Sequence, residues 1–401
     1  MRRRFALRLC PVCGGADSTV LLRQSFDGLD GACLLNGYDV AICAGCGAGF
    51  ADDIPEQPAF DQYYRDLSKY EHFDPALKEA PPIEQRFYDT AAALENFILS
   101  RDSRIMEIGS GSGQLLKALR ARGFDHVLGS DPSPGCVGAA ERLYGIPGIT
   151  GSIFRLPQPE NSLDFLILIG VMEHIRDLAG AVERIHALLR DGGRVYIEVP
   201  DASRYSPDAD APFQEFSVEH INFFSGTSLA NLMQQRGFQA TATEHTVRSR
   251  TEITCASVFG VFAKSARPPE PILRDAETEP GLRAYIEGCR MEDARVRAVI
   301  GRSLQPGERM VVWGVGSHTL RLLAAGGLDP ANIELFVDSN PKYQGKTLSG
   351  IAVESPDALK RFPGPVLISS RGFQREILRL AREQFGLTNR LILLYETGPH
   401  L

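Results

Sequence analysis

Four of the eight cysteines stand in two tight pairs, Cys10-Pro-Val-Cys13 and Cys43-Ala-Gly-Cys46, with 29 residues between them. A Cys-x-x-Cys turn brings two thiolates onto one knuckle. Glycine after each pair (Gly14-Gly15, Gly47) lets the backbone curl so that amides face the sulfurs. Two such knuckles complete a tetrahedral thiolate set for zinc. Cysteine fills all four positions, so Cys10, Cys13, Cys43 and Cys46 are expected to hold a structural metal with no open coordination site. The competing use is a redox dithiol, for which one pair would suffice within a thioredoxin-like strand–helix pattern. Cys33, alone in Gly31-Ala-Cys33-Leu-Leu, reads as a small core residue.

A second constellation is Arg104-Ile-Met-Glu107-Ile-Gly109-Ser110-Gly111-Ser-Gly113-Gln-Leu-Leu. It reads as a short apolar strand, a glycine turn and an amphipathic helix running to Arg122. Such a turn alone is shared with dinucleotide-binding domains, which need an anion-friendly helix start for a pyrophosphate. Here Glu107 precedes the first glycine by two residues, where a carboxylate can receive an ammonium group directly or through water. The next strand, His126-Val-Leu-Gly-Ser-Asp131, ends in an acid about 20 residues after the turn, a spacing that suits both ribose hydroxyls. The competing use of Asp131 is a helix cap ahead of Pro132-Ser-Pro134, and the glycine turn before it favours ribose binding. The third strand ends at Thr150-Gly-Ser152-Ile153.

A third feature is an adjacent Glu219-His220 between Phe216 and Phe223-Phe224. Histidine titrates near neutrality, which suits a proton acceptor in a partly desolvated pocket, and a neighbouring carboxylate could orient it. A solitary histidine is more often structural. The aromatic stretch Asp61 to Asp74 would serve either as a hydrophobic staple between domains or as a lid carrying Tyr63, Tyr64 or Tyr70.

These residues need a frame. The apolar run Leu163 to Ile169 suits a strand buried on both faces. A helix with Leu178, Val182, Ile185 and Leu188 follows, and then the strand Arg194 to Pro200. Strand–helix alternation of this kind gives a doubly wound α/β sheet with ligands at the carboxyl ends of the strands. The glycine turn, Asp131, Leu-Asp164-Phe, Met-Glu-His174-Ile and Leu-Leu-Arg-Asp-Gly-Gly193 together resemble class I S-adenosylmethionine (SAM)-dependent methyltransferases. On that resemblance, Glu107, Gly109, Ser110, Gly111, Gly113, Asp131, Ser152 and Ile153 form the donor site.

After a linker rich in proline and glutamate (264–281) and a helix, Met310-Val-Val-Trp-Gly314-Val-Gly316-Ser317-His318 opens a second strand–glycine turn–helix unit. Asp338 stands 22 residues beyond Gly316, again a ribose-compatible spacing. Gly314, Gly316, Ser317 and His318 would lie near the phosphates of a nucleotide; otherwise the unit is kept for packing or dimerisation. Taken whole, the chain resembles the three-domain sugar C-methyltransferases. The matching boundaries are a zinc-binding part at 1–75, a methyltransferase part at 76–264 and a Rossmann-like part at 265–401. The family's Tyr-x-Glu-His-x-x-Tyr-Phe-Ser stretch is matched here by Glu219, His220 and Ser225, with Ser217 and Phe223 in place of the tyrosines and Asn222 assigned to the acceptor. The resemblance implies that His220 deprotonates the carbon beside a 4-keto group, helped by Glu219, His174 and Tyr70. The expected reaction is C-methylation of a nucleotide-sugar. O- or N-methylation of a sugar or small metabolite is the alternative, and a non-catalytic SAM-binding protein the further one.

Composition agrees. With 401 residues the chain calls for two or three domains, and 43% hydrophobic with 23% charged residues are globular values. A net charge of -7 argues against a nucleic-acid partner. No apolar run approaches the roughly 20 residues that span a bilayer. The basic start (Met1-Arg-Arg-Arg-Phe-Ala-Leu) lacks the apolar core of a secretory signal. A cytoplasmic monomer or homodimer is expected.

Overall fold

The structure is a computed structural model that describes residues 3–5, 7–28, 30, 34–67, 80–250 and 253–396. Tyr70 and Cys33 fall outside the described residues.

The central sheet has seven strands, in the order Phe238–Arg250, Ile253–Lys264, Leu189–Pro200, Leu163–Ile169, Ile105–Ile108, Val127–Asp131 and Gly148–Thr150. Only Ile253–Lys264 runs against its neighbours. The continuous apolar runs arise because both faces are covered. Met106, Ile108, Leu166, Leu168, Val195 and Ile197 face helices Leu178–Leu188 and Gly226–Gln234. Their alternates Ile105, Phe165, Ile167 and Tyr196 face helices Gln85–Glu95, Gln114–Ala121 and Pro134–Tyr144. Local chemistry sets the helix ends. Ser133 Oγ accepts from Cys136 N, Pro134 occupies the first turn, and Gly145 closes the helix in the left-handed conformation.

An antiparallel sheet of Arg3–Phe5, Asp17–Ser25, Gly37–Cys43 and Gly49–Asp52 gains a fifth strand from far along the chain, Asn222–Phe223. It joins by the pairs Asn222↔Phe50 and Phe223↔Gly49. The cysteine knuckles share one core with the central sheet, since Cys10, Cys43 and Cys46 cluster with Leu229 and Met233.

The third sheet runs Thr347–Leu348, Ile351–Glu354, Ile333–Val337, Met310–Trp313, Val366–Ile368 and Leu391–Leu393, parallel except at its first strand. It meets the N-terminal sheet through Asp27 N to Leu320 O (2.9 Å) and Asp30 N to Thr347 O (3.0 Å). The proline- and glutamate-rich stretch before it is not a loose tether. Asp275 is buried, its N donates to Cys46 O (2.8 Å), and its carboxylate accepts from the Ser225 and Thr278 hydroxyls (both 2.6 Å). Gly47 is required for this contact, with φ +82° and a position where a Cβ would meet Asp275 O at 2.2 Å. No helix among the described residues is long and apolar enough to cross a membrane.

Candidate functional site

The glycine turn closes the carboxyl end of the Ile105–Ile108 strand. Gly109, Gly111 and Gly113 all have positive φ (74°, 51° and 77°). At Gly113 a Cβ would also press on Ala140 and Ile146 (3.0 and 3.3 Å), whereas at Gly111 it would meet open space. Asp131 Oδ2 accepts from Gly111 N (3.0 Å) and Oδ1 from Ser133 N (2.9 Å). The residue thus ties the turn to the next helix start, and its carboxylate oxygens keep further lone pairs for hydroxyls. Glu107 is 6% exposed, and its Oε2 is buried without a partner. Burial first, and the Asp131 charge second, push its carboxyl well above the ordinary range. A buried acid aimed into an open turn fits a cationic donor group, as SAM requires. Ser152 is half-buried at the rim, while Ile153 packs into the core.

Across the sheet end, the turn Met172–His174 carries Glu173 and His174, and His220 joins them. One carboxylate and two imidazoles lie within 4.8 Å of one another. The His174 and His220 rings are 5.0 Å apart, and Tyr64 meets His174 edge-on at 5.7 Å. His174 Nδ1 hydrogen-bonds Glu219 O (2.9 Å). Glu173 is 3% exposed with an unpartnered Oε2, and burial raises its carboxyl while His220 draws it back. His220 Nδ1 lies 3.6 Å from Glu215 Oε2. The Glu219 carboxylate turns elsewhere and accepts from the Tyr63 hydroxyl (3.1 Å). Sequence reasoning had paired His220 with its neighbour Glu219; among the described residues, the acid at ion-pair distance is Glu215, five positions earlier.

The backbone around His220 is held from the N-terminal sheet. Tyr38 Oη donates to Ser217 O (3.0 Å), with His220 O at 3.3 Å. Ser217 Oγ accepts from Glu219 N and His220 N (3.3 Å each), capping the turn. Phe223 is wholly buried against Phe216 and Tyr38. The two positions that differ from the tyrosine pattern therefore serve the turn and the core. Asn222, expected at the acceptor, has its amide fully engaged: Nδ2 donates to Met172 O (2.9 Å) and Ile175 O (2.8 Å), and Oδ1 accepts from Arg8 Nη2 (2.8 Å). Arg8 itself is 2% exposed and also binds Ile221 O and Arg176 O. The sequence reading missed Arg8, Tyr38 and Glu215, whose partners are remote in the chain or outside any motif. Glu173 was legible within Met-Glu-His-Ile.

The four paired cysteines converge. Cys10–Cys46 and Cys13–Cys43 sulfurs are 3.6 and 3.5 Å apart, and all four lie within 4.8 Å. A tetrahedral zinc with Zn–S of ~2.3 Å spaces its sulfurs at about 3.8 Å, so the set fits the metal. Gly15 N points at Cys13 Sγ (3.4 Å).

In the third sheet, Val315 N donates to Asp338 Oδ2 (2.9 Å) and Asn340 N to Asp338 Oδ1 (2.8 Å), the same arrangement as around Asp131. Gly316 lies at the surface of the turn, and Gly314 and Ser317 are half-buried. His318 faces inward instead. It is 5% exposed, hydrogen-bonds Tyr395 Oη through Nε2 (3.0 Å), and burial lowers its pKa to about 3.

Residues 83–243 match the methyltransferase domain family. With that sheet order and glycine turn, the chain carries a class I SAM-dependent methyltransferase domain and is an enzyme of that class. Among its relatives is the C-methyltransferase NovU of Streptomyces niveus, 25% identical over 323 residues, covering 75% of this chain and 74% of that protein. A probable SAM-dependent methyltransferase of Mycolicibacterium smegmatis is 28% identical over 139 residues, covering 34% of this chain and 51% of that protein. A solved SAM-dependent methyltransferase of Thermotoga maritima is 21% identical, covers 45% of this chain and 90% of its own, and has a TM-score of 0.37.

Proposed function

We propose that the enzyme C-methylates the sugar of a nucleotide-linked keto-sugar, with His220 as general base. The observation that carries this reading is the cluster of Glu173, His174 and His220 at the carboxyl end of the central sheet. The likeness to a C-methyltransferase supports it. SAM supplies a methyl group already activated on a sulfonium, so the protein's share is positioning and proton removal. Glu107 and Asp131 would hold the donor's ammonium and ribose, with Gly109, Ser110, Gly111, Gly113, Ser152 and Ile153 around them. His220 takes the proton from the carbon beside the carbonyl, and the Glu215 carboxylate 3.6 Å from Nδ1 steadies the imidazolium that results. His174, fixed by Glu219 O, presents its Nε2 to the same space. Tyr70 lies outside the described residues, and Asn222 holds the turn. The third sheet, through Gly314, Gly316, Ser317 and Asp338, would seat the acceptor's nucleotide. The four thiolates would hold a structural zinc that closes the hairpin beside the Asn222–Phe223 strand.

The test is incubation with methyl-labelled SAM and a panel of nucleotide-linked sugars, the product's labelled methyl being located by NMR. A methyl bonded to the carbon next to the keto group supports the reading. A methyl on oxygen or nitrogen overturns it. The second reading, O-methylation, draws on Ser217 and Phe223, which place no hydroxyl in the pocket where tyrosines would.

A further inference from the structure

Methylation of a carbon beside a carbonyl needs donors for the oxygen as well as a base for the proton. That oxygen lies only about 2.4 Å from the carbon that loses the proton, so its donors must stand close to the base. Ser217 turns its hydroxyl oxygen to Glu219 N and His220 N, and Phe223 has no hydroxyl to offer.

A different donor comes from an element that no motif marks. Strands Phe238–Arg250 and Ile253–Lys264 pair up to Arg250↔Ile253. The second of them pairs with Leu189–Pro200 only from Ala263 to Ser257, opposite Pro200. Beyond Ser257 the hairpin overhangs the carboxyl end of the sheet, and Arg248, opposite Cys255, lies on that overhang. A Cβ built on Gly170 would stand 2.7 Å from Arg248 Nη1 and 3.4 Å from Glu173 Oε1, so glycine leaves the room in which the two groups approach. Arg248 is half-buried and, among the described residues, forms no hydrogen bond and no ion pair within 4.0 Å.

Glu173 is 3% exposed, and its Oε2 is buried without a partner. The same carboxyl lies within 4.8 Å of a ring nitrogen of His174 and of His220. Burial holds it above the ordinary carboxylate range despite the charges of His220 and Arg248, so it can keep a proton and donate it. A neutral acid and a guanidinium that converge on one space suit an oxygen on which negative charge develops.

We propose that Arg248 and Glu173 form the oxyanion hole of the reaction, donating to the acceptor's carbonyl oxygen while His220 acts on the neighbouring carbon. This rests on the C-methylation reading. The C–H bond breaks, its proton passes to the imidazole of His220, and its electron pair forms a C=C bond as the carbonyl pair shifts onto oxygen. Arg248 and Glu173 hold that enolate oxygen. The carbon then bonds to the methyl group, the C–S pair returns to sulfur, and the carbonyl is restored. Both donors bind the enolate more tightly than the ketone, which is the condition for lowering the barrier.

Exchange of the proton beside the carbonyl into deuterium oxide reads enolate formation apart from methyl transfer. It is followed by NMR on nucleotide-linked 4-keto-sugars, with S-adenosylhomocysteine in place of SAM. Arg248→Ala should slow exchange and kcat together by about 10²–10³-fold, the loss typical of one oxyanion donor, with SAM affinity within about twofold. Arg248→Lys should lose less, and added guanidinium ion should restore part of the exchange in Arg248→Ala. Glu173→Ala should also slow exchange, and Glu173→Gln, whose amide donates from the same place, should recover part of it. Exchange at the wild-type rate in a folded Arg248→Ala protein overturns the oxyanion hole while leaving C-methylation standing. So does a loss confined to the acceptor's KM or to SAM affinity, which makes Arg248 a binding contact only. A wild-type chain that exchanges no carbon-bound proton and methylates oxygen or nitrogen overturns the C-methylation reading, and the oxyanion hole with it.

Discussion

Replacing Asn222 with alanine removes three buried hydrogen bonds at once. Ile175 O loses its donor, Met172 O keeps only the longer bond from Ile175 N (3.4 Å), and Arg8 Nη2 loses one of its two acceptors while keeping Arg176 O. An orphaned buried polar group costs about 1–3 kcal/mol, and Met172 O and Arg8 fall at the low end because each keeps a partner, so the sum is about 3–5 kcal/mol. That is a large part of the roughly 5–15 kcal/mol that keeps a protein folded. At about 2 °C per kcal/mol for a large domain, the melting temperature should fall by about 6–10 °C. The loss is local to the site, because Met172–His174 carries Glu173 and His174, and His220 is two residues from Asn222. Turnover should drop by more than donor affinity does. Thermal unfolding alongside calorimetry with SAM reads both quantities. A variant with unchanged melting temperature and a raised acceptor KM would refute the reasoning and return Asn222 to the acceptor site.

Asp131→Ala should weaken SAM binding at least tenfold, or about 1.4 kcal/mol, by calorimetry; unchanged affinity removes Asp131 from the donor site. Elemental analysis should find one equivalent of zinc, lost in Cys43→Ser, and less than about half an equivalent in wild type would sink the four-thiolate assignment. Glu107→Gln should weaken SAM yet stabilise the donor-free protein. Because the folded-state pKa of Glu107 is raised, wild-type stability is lost as pH climbs from the ordinary value of 4.5 through the folded one, and glutamine abolishes that loss. Melting curves at pH 8 that place the variant below wild type contradict this. His318 has the opposite sign, being neutral when folded down to about pH 3 and ordinary near 6.5 when unfolded. Stability should fall as pH drops through that window, by at most about 1.4 kcal/mol per unit, and His318→Gln should flatten the fall.

The parts legible in the sequence are those whose chemistry is local. Cys10 to Cys13 and Cys43 to Cys46 announce their turns, and Glu107 to Gly113 with Asp131 spell a strand, a turn and the next strand's end within one unit. The burial of Leu166 and Leu168 on one face and Ile167 on the other follows from an apolar run with helices on both sides. What stayed hidden depends on distance along the chain. Nothing near Asn222 says that it pairs with Phe50, because register between strands over 170 residues apart is set by the assembled core. Arg8 looks like one more basic residue at a polar start, yet its head group is sealed by carbonyls from three remote segments. Glu215 replaces Glu219 beside His220 because adjacent side chains diverge around the Ser217-capped turn. Asp275 sits in a stretch whose composition reads as a tether; its role appears only with the knuckle it touches.

The central claim is that His220 removes the proton that carbon methylation requires. Turnover of His220→Ala with labelled SAM and the accepted nucleotide-sugar, set against wild type, tests it most directly. The account predicts a fall of about 10²–10⁴-fold with SAM affinity within about twofold, the contribution of a positioned base. Full activity in a folded His220→Ala protein would contradict it.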